Sequence, residues 1–105
     1  MTNLEYIAAN LSDEDILCQI TEEAAELAKA ALKLRRAMIQ TNPTPVTYEE
    51  AMDNLIEEYS DVIGAFAVYA NKNKCEDDLS ELVSDNINAK YYRWAQRIKE
   101  SKKYD

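Results

Sequence analysis

The stretch DEDILCQITEEAAELAKAALKLRRAMIQ, residues 13–40, decides the fold. Ala, Leu, Glu and Lys dominate it, as they do the whole chain, and these residues favour helix. Ser12 stands before it as a good N-cap. Asp13, Glu14 and Asp15 suit the positive end of a helix dipole, and Lys33, Arg35 and Arg36 suit the negative end. TNPTPV follows, and its two prolines should stop the helix near Gln40.

The same grammar extends in both directions. Residues 2–10 read as a short helix with Thr2 as N-cap. Thr47-Tyr-Glu-Glu50 reads as a capping box, in which the Thr hydroxyl caps the Glu50 N–H and Glu50 reaches back. The helix it opens should run to about Asn71. NKNKC is a polar break, a third long helix should span about Glu76 to Lys99, and SKKYD should be a frayed tail. No strand signal interrupts this pattern. A chain that is 47% hydrophobic with one Gly and two Pro is too apolar for disorder and too poor in turn formers for a sandwich or barrel. The expectation is all-α: one domain over residues 1–105, an antiparallel bundle of three long helices plus a short N-terminal one. Helices of about 35–40 Å in a thin sheaf leave apolar surface wet, so a homodimer or homotetramer should complete the bundle.

Composition excludes several functions. A net charge of −8 makes the chain a poor binder of nucleic acid backbone and of acidic membrane surfaces. Histidine is absent, which excludes His-ligated zinc and any triad with a His base. Cys18 and Cys75 are too few for a disulfide framework and read as reduced, partly buried thiols. Nothing resembles a signal peptide or a membrane span, so a cytoplasmic location is expected.

One glutamate sits where a leucine should. At 100° per residue, Ile16, Ile20, Leu27, Ala31 and Leu34 share an arc about 60° wide, and Glu23 falls within about 20° of its edge. Glu26 and Gln19 flank the arc, and Glu22 lies further round. In the next helix Leu55, Tyr59, Val62, Phe66 and Tyr69 define the apolar stripe. Glu58 and Asp61 lie on its apolar half, among Ala65, Val68 and Tyr69. Each helix thus carries two carboxylates spaced i, i+3, on one side and one turn apart. Most such pairs in an acidic protein are solvated faces. Two pairs inside apolar arcs on consecutive helices are a different matter, because repulsion and desolvation would push several to protonate. A multivalent cation removes that cost. Mg2+ prefers oxygen ligands and is commonly held by few carboxylates with phosphate completing the shell. Glu23, Glu26, Glu58 and Asp61 are therefore candidate Mg2+ ligands.

The third helix carries a basic stripe. Asn86, Lys90, Arg93 and Arg97 lie within about 60° of one another. Ile87, Tyr91, Trp94 and Ile98 run beside them. Such a face can simply be solvated and paired with the chain's acids. Lys and Arg also suit phosphate oxygens, and carboxylate-held Mg2+ beside them would make a polyphosphate site.

Glu22-Glu23-Ala-Ala-Glu26, followed by Glu58-Tyr-Ser-Asp61 on the next helix, resembles the EExxE…ExxD signature of the MazG-like, all-α nucleoside triphosphate pyrophosphohydrolases. Asn-Ala-Lys90-Tyr-Tyr-Arg93-Trp resembles the Lys/Arg-bearing segment of that family's last core helix. The similarity spans roughly residues 16–98. It implies a helical bundle built by homo-oligomerisation and Mg2+-dependent hydrolysis of a nucleoside triphosphate to monophosphate and pyrophosphate. By position it makes Glu23, Glu26, Glu58 and Asp61 metal ligands, Glu22 a supporting or water-orienting group, and Lys90 and Arg93 phosphate ligands. Asn86 joins these by its face. No side chain is an obvious covalent nucleophile, so water would attack phosphorus, with Glu22 or Glu26 accepting its proton. Three other readings remain open: a non-enzymatic helical dimerisation or adaptor module, a related phosphoribosyl-ATP pyrophosphohydrolase, and a degenerate member that binds nucleotide without turnover.

Overall fold

The computed structural model describes residues 1–39, 41, 42 and 44–103. Within them the chain is helical, with no strand: α1 (Asn3–Asn10), α2 (Asp13–Ile39), α3 (Tyr48–Lys72) and α4 (Glu76–Lys102). Gln40, the expected stop of α2, lies outside the described residues, as do Pro43 and the last two residues of the tail, Tyr104 and Asp105. The rest of that tail is not frayed as expected: Ser101 and Lys102 extend α4 beyond Lys99. The chain divides into two compact units, Met1–Lys74 and Cys75–Asp105.

The caps explain the boundaries in the first unit. The Thr2 hydroxyl accepts from Glu5 N–H at 3.1 Å, and the Thr2 N–H donates to the Glu5 carboxylate at 3.0 Å. α1 thus has the full reciprocal box, closed by a residue whose part the sequence reading left unassigned. The backbone N–H and the hydroxyl of Thr2 hold the Glu5 carboxyl below its ordinary pKa. Ser12 caps α2 as expected, its hydroxyl accepting from Asp15 N–H at 3.1 Å. At Thr47 only half of the expected box forms. Its hydroxyl accepts from Glu50 N–H at 3.1 Å but donates to the Glu50 carboxylate at 3.2 Å, so that carboxylate bonds the hydroxyl rather than the backbone N–H. Lys74, in the polar break, is held at φ 54°, a left-handed conformation that a side chain makes costly.

α2 and α3 pack antiparallel. Asp13, at the start of α2, takes a hydrogen bond from Asn73 just past the end of α3, at 3.2 Å. Ten residues on, Glu23 meets Glu58 and Asp61, further back along α3. α1 packs against α3, and Lys72 Nζ donates to the Ala8 carbonyl at 3.3 Å.

The buried positions follow a 3.5-residue period rather than 3.6. On α2, Ile16, Ile20, Glu23, Leu27, Ala30, Leu34 and Ala37 are buried or half-buried. On α3 the equivalent run is Ala51, Leu55, Glu58, Val62, Ala65, Tyr69 and Lys72. Alternating steps of four and three mark a coiled-coil-like seam. The seam corrects two expectations. Ala31 is exposed, and Ala30, at 1%, takes its place in the core. Tyr59 and Phe66, expected in the apolar stripe of α3, are 57% and 47% exposed, while Glu58 and Ala65 lie in the seam. An ideal helical count drifts off a supercoiling seam over several turns, which accounts for the Ala31 error. At α3 Leu55, Val62 and Tyr69 of the expected stripe do lie in the seam, and Tyr59 and Phe66 stand one position past Glu58 and Ala65.

α4 by itself buries none of its residues fully. Ile87, Tyr91, Trp94 and Ile98 are all exposed. Cys18 is exposed rather than partly buried, and Cys75 is half-buried. Among the described residues no helix is long and apolar enough to cross a membrane.

The seam has a direct test. Ala30→Leu should overpack the core and cost about 1–3 kcal/mol in denaturant melts. Ala31→Leu, one residue away on the exposed face, should change stability by less than about 0.5 kcal/mol. Equal effects would show that the buried line does not run through Ala30.

Candidate metal centre

The seam carries its two acids at the middle of the α2–α3 pair. Glu23 and Glu58 are half-buried because they occupy seam positions that elsewhere hold Ile, Leu, Val, Ala or Tyr, with Lys72 at the end of the run. Asp61, one turn after Glu58, is exposed and turns toward the same place. One carboxylate oxygen from each of Glu23, Glu58 and Asp61 lies within 4.8 Å of the others. Three negative groups thus converge across two helices.

The electrostatics register the crowding. The Glu58 carboxyl is held above its ordinary pKa. Lost hydration is the largest cause, followed by the negative charges of Asp61, Glu23, Glu26 and Glu57. Its raised value reverses the usual acid-stability rule. A native pKa above the unfolded one gives stability that is present at low pH and is lost as pH rises through the native value. Glu5 has the opposite sign: its contribution is present above the unfolded pKa and is lost as pH falls.

The other expected residues fall into two groups. Glu26 stands outside the close set. It is exposed and pairs with Lys29 at 3.6 Å, an i, i+3 surface contact that contributes little. Its charge still reaches Glu58. Glu22 is exposed on the same turn of α2. Asn86, Lys90 and Arg93 are all exposed along α4. The structure therefore brings together three of the four expected carboxylate ligands.

Gln19 was assigned no role from the sequence. Its Nε2 donates to Glu23 Oε1 at 2.6 Å, which orients that carboxylate. The signal was the i, i+4 spacing, at which Gln and an acid meet on a helix. Ser60, too, has no role in the sequence pattern. It lines a cleft of about 580 Å³ together with Gln19, Glu23 and Asp61. That cleft also takes apolar side chains from α1, whose involvement no periodicity within α2 or α3 could reveal.

Three hard oxygen donors, with no sulfur and no imidazole, suit a hard divalent cation rather than a soft transition metal. A cation would relieve the repulsion that raises the Glu58 pKa. Comparisons of the chain with protein-family models, with curated proteins and with solved structures give no match.

Replacing Glu58 by Gln removes one charge from the cluster and keeps its shape. In chelator at neutral pH, Glu58→Gln should therefore melt higher than wild type, and the difference should shrink as pH falls into the carboxylate range. A lower melting temperature at neutral pH would mean that the Glu58 charge is already satisfied within the protein.

Proposed function

We propose that the chain is a Mg2+-dependent pyrophosphohydrolase of the MazG-like kind, cleaving a ribo- or deoxynucleoside triphosphate to its monophosphate and pyrophosphate. The observation that carries this reading is the siting of Glu23 and Glu58 in the α2–α3 seam, where apolar residues would stabilise the fold better. A solvated acidic face needs no seam position. A site for a cation does, because rigid packed elements hold ligands better than surface loops.

Glu23, Glu58 and Asp61 would hold Mg2+. One oxygen from each lies within 4.8 Å of the others, and the exposed Asp61 has freedom to draw in toward the roughly 2.1 Å bonds that Mg2+ demands. When bound, Mg2+ supplies charge neutralisation to phosphate and acidifies coordinated water. Glu26 is free to leave its weak pairing with Lys29 and become a fourth ligand or accept a proton. Glu22 is the second candidate acceptor for the proton of the attacking water. Asn86, Lys90 and Arg93 carry donors suited to phosphate oxygens.

We also propose a homo-oligomer. Ile56, Tyr59, Ile63 and Phe66 form a second stripe on α3 with the same alternation of three and four, and all are exposed. A contiguous apolar stripe of this kind marks an association surface. The same stripe would serve the adaptor reading, in which no catalysis follows. Ile56→Asp with Ile63→Asp should convert the oligomer to a smaller species in sedimentation velocity. An unchanged sedimentation coefficient would remove this stripe as the interface.

The decisive assay is pyrophosphate release from ribo- and deoxynucleoside triphosphates with Mg2+. Wild type should release pyrophosphate, and Glu58→Gln should be slower by about 10²–10³-fold, the usual loss of one preorganised electrostatic group. Mg2+ alone should raise the wild-type melting temperature by mass action, with about 2.7 kcal/mol gained at a hundred times its Kd. No release from any nucleotide, together with no thermal shift, would leave the adaptor reading.

A further inference from the structure

The chain has one glycine, and it lies in the middle of a helix. Gly64 stands on α3 one turn after Asp61. Glycine inside a helix is destabilising relative to alanine, because it loses the most backbone freedom on folding. Packing gives no compensation here. A methyl group added at Gly64 would meet no atom within 4 Å. Its φ is not positive, so the backbone does not require glycine either. The bare backbone costs stability and fills no need of the folded unit.

Gly64 lines the cleft described above. Along α3 the cleft takes Ser60 and Asp61, then Gly64 and Ala65, then Val68. From Asp61 to Val68 is about 10 Å of helix, at 1.5 Å per residue. Leu4 and Ile7, one turn apart on α1, and Leu11, the residue that caps its end, form an apolar wall. Glu23 and Asp61 belong both to the cleft and to the carboxylate cluster, so the cleft begins at the candidate metal centre. Its volume of about 580 Å³ falls in the range of small-molecule sites, which are mostly apolar with a few convergent polar groups. Gln19 is the amide in this cleft. It uses one N–H on Glu23 and has a carbonyl oxygen and a second N–H for a ligand.

We propose that this cleft seats the nucleoside of the triphosphate, with its flat base against the bare α3 backbone at Gly64, and that Gly64 limits which bases enter. The proposal rests on the pyrophosphohydrolase reading. The occupant follows from continuity: a ligand with phosphates at Glu23 and Asp61 must extend its remaining part somewhere, and the adjoining space is apolar, about a nucleoside long and floored by the chain's one glycine. A planar ring gains most where no side chain stands above the backbone.

The test uses the full chain and two variants, Gly64→Ala and Gly64→Leu, with Mg2+. Gly64→Ala should melt higher than wild type in the absence of nucleotide, as helix propensity requires, which establishes that the fold is intact. Its KM for the best nucleoside triphosphate should rise. Gly64→Leu should raise KM by about tenfold or more, since a filled pocket discriminates on that scale. In both variants the thermal shift caused by Mg2+ alone should match wild type. Inorganic triphosphate, which has no base, should protect wild type and Gly64→Leu equally against melting. Unchanged KM in both variants, with wild type active, overturns the proposal and leaves the pyrophosphohydrolase reading standing. So does a KM change that tracks altered sedimentation, which would mean a second copy of the chain covers Gly64. Wild type that is inactive on every nucleotide overturns both.

Discussion

Two glutamates face each other across a seam that, up to Lys72 at its end, otherwise holds Ile, Leu, Val, Ala and Tyr. The architecture of residues 1–74 turns on this contact. The α2–α3 pair is held by a line of mostly apolar residues, and at its midpoint one oxygen of each glutamate lies within 4.8 Å of the other. Glu58 registers the cost as a carboxyl held above its ordinary pKa. An isolated fold would be better served by Leu at both positions, since paired buried charges rarely outperform apolar packing and unpaired ones are worse. The seam therefore stores an unfavourable interaction that a bound cation would relieve.

Gly64 belongs to the same pattern. A helix-breaking residue occupies the middle of α3, one turn after Asp61, in space that no side chain fills. Departures from local consistency in a well-capped, strongly periodic helix concentrate at functional sites. Here two departures of different kinds, misplaced charge and missing side chain, adjoin one cleft. The caps at Thr2, Ser12 and Thr47 and the alanine-rich seam supply the stability from which both are offset.

The acids also explain why α1 matters. By length it is the weakest element, and short helices are marginal in water. Its reciprocal cap, its packing on α3 and the Lys72 bond to the Ala8 carbonyl hold it in place. In return it supplies the apolar wall beside the carboxylates. Without α1 the cluster would be an open acidic patch on a helical hairpin.

The sequence by itself determined the helical class, the start of every helix in the first unit and the placement of Glu23 and Glu58 on faces meant for the core. These are local matters. Caps act over three or four residues, and helical periodicity is carried within each segment. The sequence did not determine that the seam runs through Ala30 rather than Ala31, or that Tyr59 and Phe66 face outward. Those choices depend on how two helices wind around one another, and a single helix does not contain that information. Nor could it bring Gln19, Ser60, Gly64 and the apolar face of α1 to one cleft. Residues more than forty positions apart meet there only because α2 and α3 run antiparallel and α1 folds back onto α3.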